Sequence, residues 1–245
     1  MTEFKLPTET VELPSKGLLY SSDNPLSSGT IEIKYMTAKE EDILTNPNYI
    51  SNGTVLDKLL KSLIITDINY NDLLIGDKNA IMIAARILGY GAEYKFTYNG
   101  KEETVNLSEV ENKKIDESLY TKGLNEFSFT LPTSENELTF KILTHGDEAK
   151  INQELEGLKK INIDNTPELT TRLKYMITSV NGEKDKKIIR EFVDTAFLAR
   201  DARAFREYVQ KIQPDVDLTF FPSSSQRATS IPIGLSFFWP DASLS

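Results

Sequence analysis

Residues 77–105 read DKNAIMIAARILGYGAEYKFTYNGKEETV, and within this stretch the apolar pattern changes from helical to extended. The first half predicts a helix from Lys78 to Leu88. Asp77 is placed to cap it, and its IMIAARIL segment is apolar nearly all round. Such a helix belongs in the middle of a domain, and Gly89 and Gly91 stop it. In the second half, Tyr94-Lys-Phe-Thr-Tyr98 and Lys101 to Val105 flank Asn99-Gly100, the pair favoured in two-residue type I′ turns. A buried helix running into a hairpin sets the expected class: α+β, a small antiparallel sheet of hairpins with several packed helices.

Working outward toward the N-terminus, Val11–Leu13 reads as a strand ended by Pro14. Ser15 to Gly29 is mostly turn residues and reads as an exposed loop. Ile31-Glu-Ile-Lys-Tyr35 has the alternation of a half-buried strand. Thr37-Ala-Lys-Glu40 fits a capping box opening a helix to about Leu44, stopped before Pro47. Thr54 is expected to cap a further helix that buries Val55, Leu56, Leu59, Leu60 and Leu63.

Toward the C-terminus, Ser108 to Tyr120 reads as a polar helix or loop. A second hairpin, Phe127–Leu131 with Leu138–Ile142, is expected to share one sheet with the first. Asp147 caps a helix to about Ile161. Thr166-Pro167 opens another, through Leu169, Leu173, Met176, Ile177 and Val180, ended by Asn181-Gly182. Ile188 to Ile212 continues with apolar faces at helical spacing, and after Pro214 the chain becomes extended. The expected organisation is an extended N-terminal arm (1–30), a mixed helix and hairpin domain (31–145), a helical region (146–214) and C-terminal strands with an aromatic cluster (215–245).

Composition restricts the chemistry. Hydrophobic residues make up 39% of the 245 positions, enough to bury a core and too many for disorder. No apolar run approaches the ~20 residues that span a bilayer, and the opening MTEFKLPTET lacks the basic and apolar segments of a secretory leader. The expectation is a chain that stays in the cytoplasm where it is made. There is no cysteine and only one histidine, His145, which excludes disulfides, thiolate metal sites and two-histidine sites. The net charge of −9 disfavours nucleic acid, since the longest basic run is Lys184–Lys187 (KDKK).

The remaining candidates are few. Neither a phosphate-binding G-x-x-x-x-G-K-[ST] loop nor a G-x-S-x-G elbow occurs. Gly89-Tyr-Gly91 follows a helix and precedes a strand, the wrong order for a dinucleotide fingerprint. His145 can be read as a catalytic base paired with Asp147 or Glu148, or as a residue beside a helix cap. Glu40-Glu41-Asp42 suits either a first helical turn or a metal, and Asp215 with Asp217 either surface charge or a divalent ion. Arg86, alone in an apolar helix, must pair with a carboxylate or reach water. Phe237, Phe238, Trp239 and Pro240 form the densest aromatic cluster and the candidate partner interface, with core packing as the alternative.

Five ordered blocks carry a family resemblance. Gly17-Leu-Leu-Tyr20, Asn24-Pro-Leu26 and Ile31 to Thr45 are similar to the opening of the baseplate hub protein family of T-even-like contractile-tailed phages. Asp72 to Ile81 with Ala85 to Tyr94, then Ser179-Val-Asn-Gly182, Ala199-Arg-Asp-Ala-Arg203 and Phe237-Phe-Trp-Pro-Asp241, follow in the same order. The resemblance runs from about Leu13 to Asp241. It implies a non-enzymatic hub subunit in the virion tail baseplate, present in the host cytoplasm during assembly. Its partners would be other tail or hub proteins, with no small-molecule substrate and no cofactor. The alternatives are a soluble assembly chaperone absent from the finished virion and, from another class, an unrecognised hydrolase.

The same resemblance implies a Cys-x-x-Cys in the first hairpin loop and another before the closing aromatic strand, together suited to a four-thiolate zinc site. Here those places hold Asn99-Gly100 and Phe220-Phe-Pro-Ser-Ser-Ser225, so no metal is carried over. Either the Asn99-Gly100 turn and the Phe221–Gln226 loop are neighbours held by apolar packing, or the two loops are free and each hairpin stands alone.

Overall fold

The computed structural model describes residues 6–161, 166–223 and 227–238, which form eight α-helices and nine short strands. Strand β1 (Thr8–Glu12) pairs antiparallel with β2 (Thr30–Lys34), Val11 facing Ile31. The segment between them is not an exposed arm, because Leu13, Leu19, Tyr20 and Leu26 are all buried. Its turns deliver apolar residues inward singly, at irregular intervals that no helical or strand period reveals.

The capping box forms at the start of α1 (Ala38–Leu44): the Thr37 amide donates to Glu40 Oε2 at 2.9 Å. Pro47 ends that path but opens α2 (Pro47–Ser51), a short helix not expected, whose Asn46 cap accepts from the Asn48 and Tyr49 amides. Helix α3 (Val55–Leu63) buries Val55, Leu59, Leu60 and Leu63 as the pattern requires, though Thr54 makes no side-chain cap. Helix α4 (Ile75–Tyr90) starts earlier than read. Asp77 is therefore inside its first turn and bonds elsewhere, to Ser15 and Tyr20. Gly76 lets the chain cross that turn closely: a Cβ there would lie 1.9 Å from the Pro214 carbonyl oxygen.

The first hairpin is as read. Strands β3 (Glu93–Tyr98) and β4 (Lys101–Asn106) pair with Tyr98 opposite Lys101, and φ of 48° at Asn99 and 77° at Gly100 matches the type I′ turn. The second hairpin, β5 (Phe127–Thr130) and β6 (Glu137–Phe140), does not share its sheet. Instead β6 takes a third strand, β7 (Ile177–Val180).

That strand interrupts what the apolar spacing reads as one helix. Helix α5 (His145–Ile161) is followed by α6 (Glu168–Met176), which stops as Ile177-Thr-Ser-Val180 joins the open edge of β6. Three of those four residues, Ile177, Thr178 and Val180, are β-branched, which suits a pleated edge, and a waiting strand outweighs a weak helical period. Helices α7 (Lys186–Thr195) and α8 (Ala199–Ile212) complete the helical part. The two-residue strands β8 (Thr219–Phe220) and β9 (Thr229–Ser230) and a 3-10 turn, Leu235–Phe238, close the described chain. One buried cluster runs across all expected boundaries, taking in Val11, Leu60, Ile81, Tyr94, Phe140, Leu173, Phe205 and Phe237.

Candidate functional site

His145 opens α5 and is buried, but its neighbours are not those expected. Its Nε2 lies 3.7 Å from Asp57 Oδ2 on α3, and its Nδ1 lies 3.5 Å from Lys78 Nζ on α4. Lys78 donates to Asp57 Oδ1 at 2.6 Å, and the Tyr70 hydroxyl donates to the same oxygen at 3.1 Å. Tyr70 meets the imidazole edge-on at 4.6 Å. Burial, with Lys78 and Lys61 nearby, lowers the His145 pKa against the pull of Asp57, so the ring favours its neutral form. Burial works against charge on Asp57, but the hydrogen bond and charge of Lys78 outweigh it and keep the carboxyl below its ordinary value.

The sequence-adjacent dyad does not form. Asp147 accepts from Lys141 Nζ at 2.7 Å and from Thr144, capping α5, while Glu148 pairs with Arg172. The Asp57–Tyr70–Lys78–His145 group thus ties four elements together, with His145 held by the protein's own charges. Only the fold could reveal it, because its members are spread over residues 57–145.

The acidic candidates also separate. Glu40 is fully buried and accepts from Lys34 Nζ at 2.8 Å, Ser62 Oγ at 2.8 Å and the Thr37 amide and hydroxyl. Burial raises its pKa, yet these donors together bring it down to about 2. Glu41 turns instead toward the Tyr90 hydroxyl, 3.4 Å away. Asp215 accepts from Asn79 at 2.9 Å and Asp217 from the Thr219 amide at 3.1 Å, so the two carboxylates serve different partners. Among the described residues no three His, Cys, Asp or Glu side chains gather to hold a metal.

The C-terminal segment is the most closely built of the candidate regions. Arg86, 1% exposed, does not reach water and pairs with no carboxylate among the described residues. It donates to three backbone carbonyls, Phe237 at 2.8 Å, Gly91 at 2.7 Å and Glu93 at 3.1 Å, and lies 5.4 Å from the Tyr90 ring and 5.9 Å from Tyr94. A guanidinium presents five donors, and backbone acceptors satisfy it here as a carboxylate would. Burial lowers its pKa, countered by the two tyrosines.

Phe237 and Phe238 are fully buried, Phe237 standing edge-on to Tyr94 at 4.8 Å. As an exposed partner interface this pair is therefore corrected: both rings fill the protein's own core. Trp239 and Pro240 lie outside the described residues. The strands beside the two loops are neighbours, while 224–226 of the second loop lie outside the described residues. Phe220 packs on Phe96 at 5.0 Å and on Tyr98 at 6.0 Å, and Glu103 accepts from the Ser223 amide and hydroxyl at 3.0 and 2.8 Å. Next to this seam Phe221 is 71% exposed, the most exposed large hydrophobic among the described residues. Sequence reading passed over Phe221 because nothing in a Ser-rich loop distinguishes an outward ring from an inward one.

No family model, curated protein or solved structure matches the chain.

Proposed function

We propose that this chain is a structural component of the baseplate hub of a contractile phage tail, acting by protein–protein contact. The observation that carries the reading is where the polar side chains of the resembling blocks go. Tyr20 donates to Asp77 at 2.7 Å. Arg86 binds the Phe237 carbonyl, and Ser179 Oγ meets Thr139 Oγ1 at 2.6 Å. Asp201 accepts from the Thr133 and Ser134 amides at 2.8 and 3.0 Å. Catalytic groups must face a substrate; these face distant parts of their own chain and hold it in one shape. What remains for a partner is surface, and the exposed Phe221 has the character of an interface anchor.

Deleting the gene from a phage that encodes this chain should leave filled heads without functional tails, and supplying the chain in trans should restore plaques. Undiminished infectious yield from the deletion would sink the reading.

A further inference from the structure

Helix α5, the end of α6, β7 and the first turn of α7 enclose a cleft of about 530 Å³. Six cationic side chains line it, Lys141, Lys150, Lys174, Lys184, Lys186 and Arg190, against one carboxylate, Asp147. In a chain of net charge −9 this is a strong local reversal. Three of the six are neutralised nearby: Lys141 by Asp147 at 2.7 Å, Lys174 by Asp194 at 2.6 Å, and Arg190 by a two-pronged contact with Glu154 at 2.8 and 2.7 Å. Lys150, Lys184 and Lys186 are exposed and make no ion pair among the described residues. The floor between them is apolar in part, with Ile177 and Ile189 buried.

We infer that this cleft binds a short acidic segment of a partner protein, carboxylates on the three free lysines and an apolar side chain over Ile177 and Ile189. The volume is that of a ligand pocket, within the ~300–1,000 Å³ range, and takes a few side chains rather than a duplex. A longer polyanion would run from the cleft onto an acidic surface and be repelled there, which favours a peptide over a nucleic acid. In sequence only Lys184–Lys187 hints at the feature; Lys141, Lys150 and Lys174 reach it from other elements. The inference deepens the proposed contact role and rests on it for the kind of partner, but its test needs no phage.

The test is fluorescence anisotropy at low salt with a labelled peptide of glutamates around a central leucine, beside a short single-stranded oligonucleotide of equal charge. Wild-type protein should bind the peptide more tightly than the oligonucleotide, with affinity falling as salt rises. Lys150→Glu, Lys184→Glu and Lys186→Glu together should weaken peptide binding about tenfold or more, as loss of close charge contacts does at other interfaces. The control Lys39→Glu, Lys101→Glu and Lys122→Glu, equal in charge change and placed elsewhere on the surface, should cost far less. Unchanged melting temperatures would show that both variants fold. Absence of peptide binding, equal loss in both variants, or tighter binding of the oligonucleotide would each overturn the inference.

Discussion

Arg86 and Glu40 show how single buried charges hold this protein together, and they do so by opposite means. Among the described residues the hydrogen bonds of Arg86 go to backbone oxygens, so Arg86→Met would fill similar space and leave the carbonyls of Phe237, Gly91 and Glu93 without that donor. An unsatisfied buried group costs ~1–3 kcal/mol, and a loss of about 3 kcal/mol or more in chemical denaturation is expected. A loss under about 1 kcal/mol would contradict the role. Glu40 has Lys34, Thr37 and Ser62. Folding lowers its pKa from an ordinary 4.5 to about 2, so its contribution is fully present above 4.5 and is lost as pH falls toward 2. Glu40→Gln should therefore cost on the order of 2–3 kcal/mol at neutral pH, with the gap to wild type closing across that acid window. A gap that stays constant down to acid pH would contradict it. The capping role of Glu40 was legible from its spacing to Thr37; the links to Lys34 and Ser62 depend on how β2 and α3 meet α1.

At the scale of elements, the seam between the first hairpin and the C-terminal segment separates core from surface within a few residues. Phe237→Ala should lose ~3–5 kcal/mol, the usual range for emptying a buried aromatic site, whereas Phe221→Ala should stay within ~0.5 kcal/mol of wild type. Comparable losses in both would contradict this division. Sequence reading reached the hairpin and its turn because Asn99-Gly100 and the alternating aromatics are local signals, whereas the packing of the C-terminal strands on it was implied only by the resemblance. It failed where partners come from far away. Ile177–Val180 carries a helical spacing and a strand composition at once, and only the free edge of β6 decides between them. The segment 13–29 fails for another reason: its buried residues have no period, and Tyr20 is drawn inward by Asp77, 57 positions on.

For the whole molecule, one core spans the regions that looked separable, and the buried charges join distant segments within it. On the surface, the cationic cleft of the helical side and Phe221 beside the C-terminal seam are the features on which the proposed contacts rest. In sequence only the Lys184–Lys187 run hinted at the cleft, since a charge patch assembled from α5, α6, β7 and α7 is a property of tertiary structure. The central claim, that the chain serves a contractile tail by contact, is tested most directly by quantitative mass spectrometry of purified tails and of their assembly intermediates. The account predicts the chain in finished tails at a fixed ratio to other baseplate proteins. Presence only in intermediates would make it an assembly factor instead of a subunit, and absence from both would contradict the account.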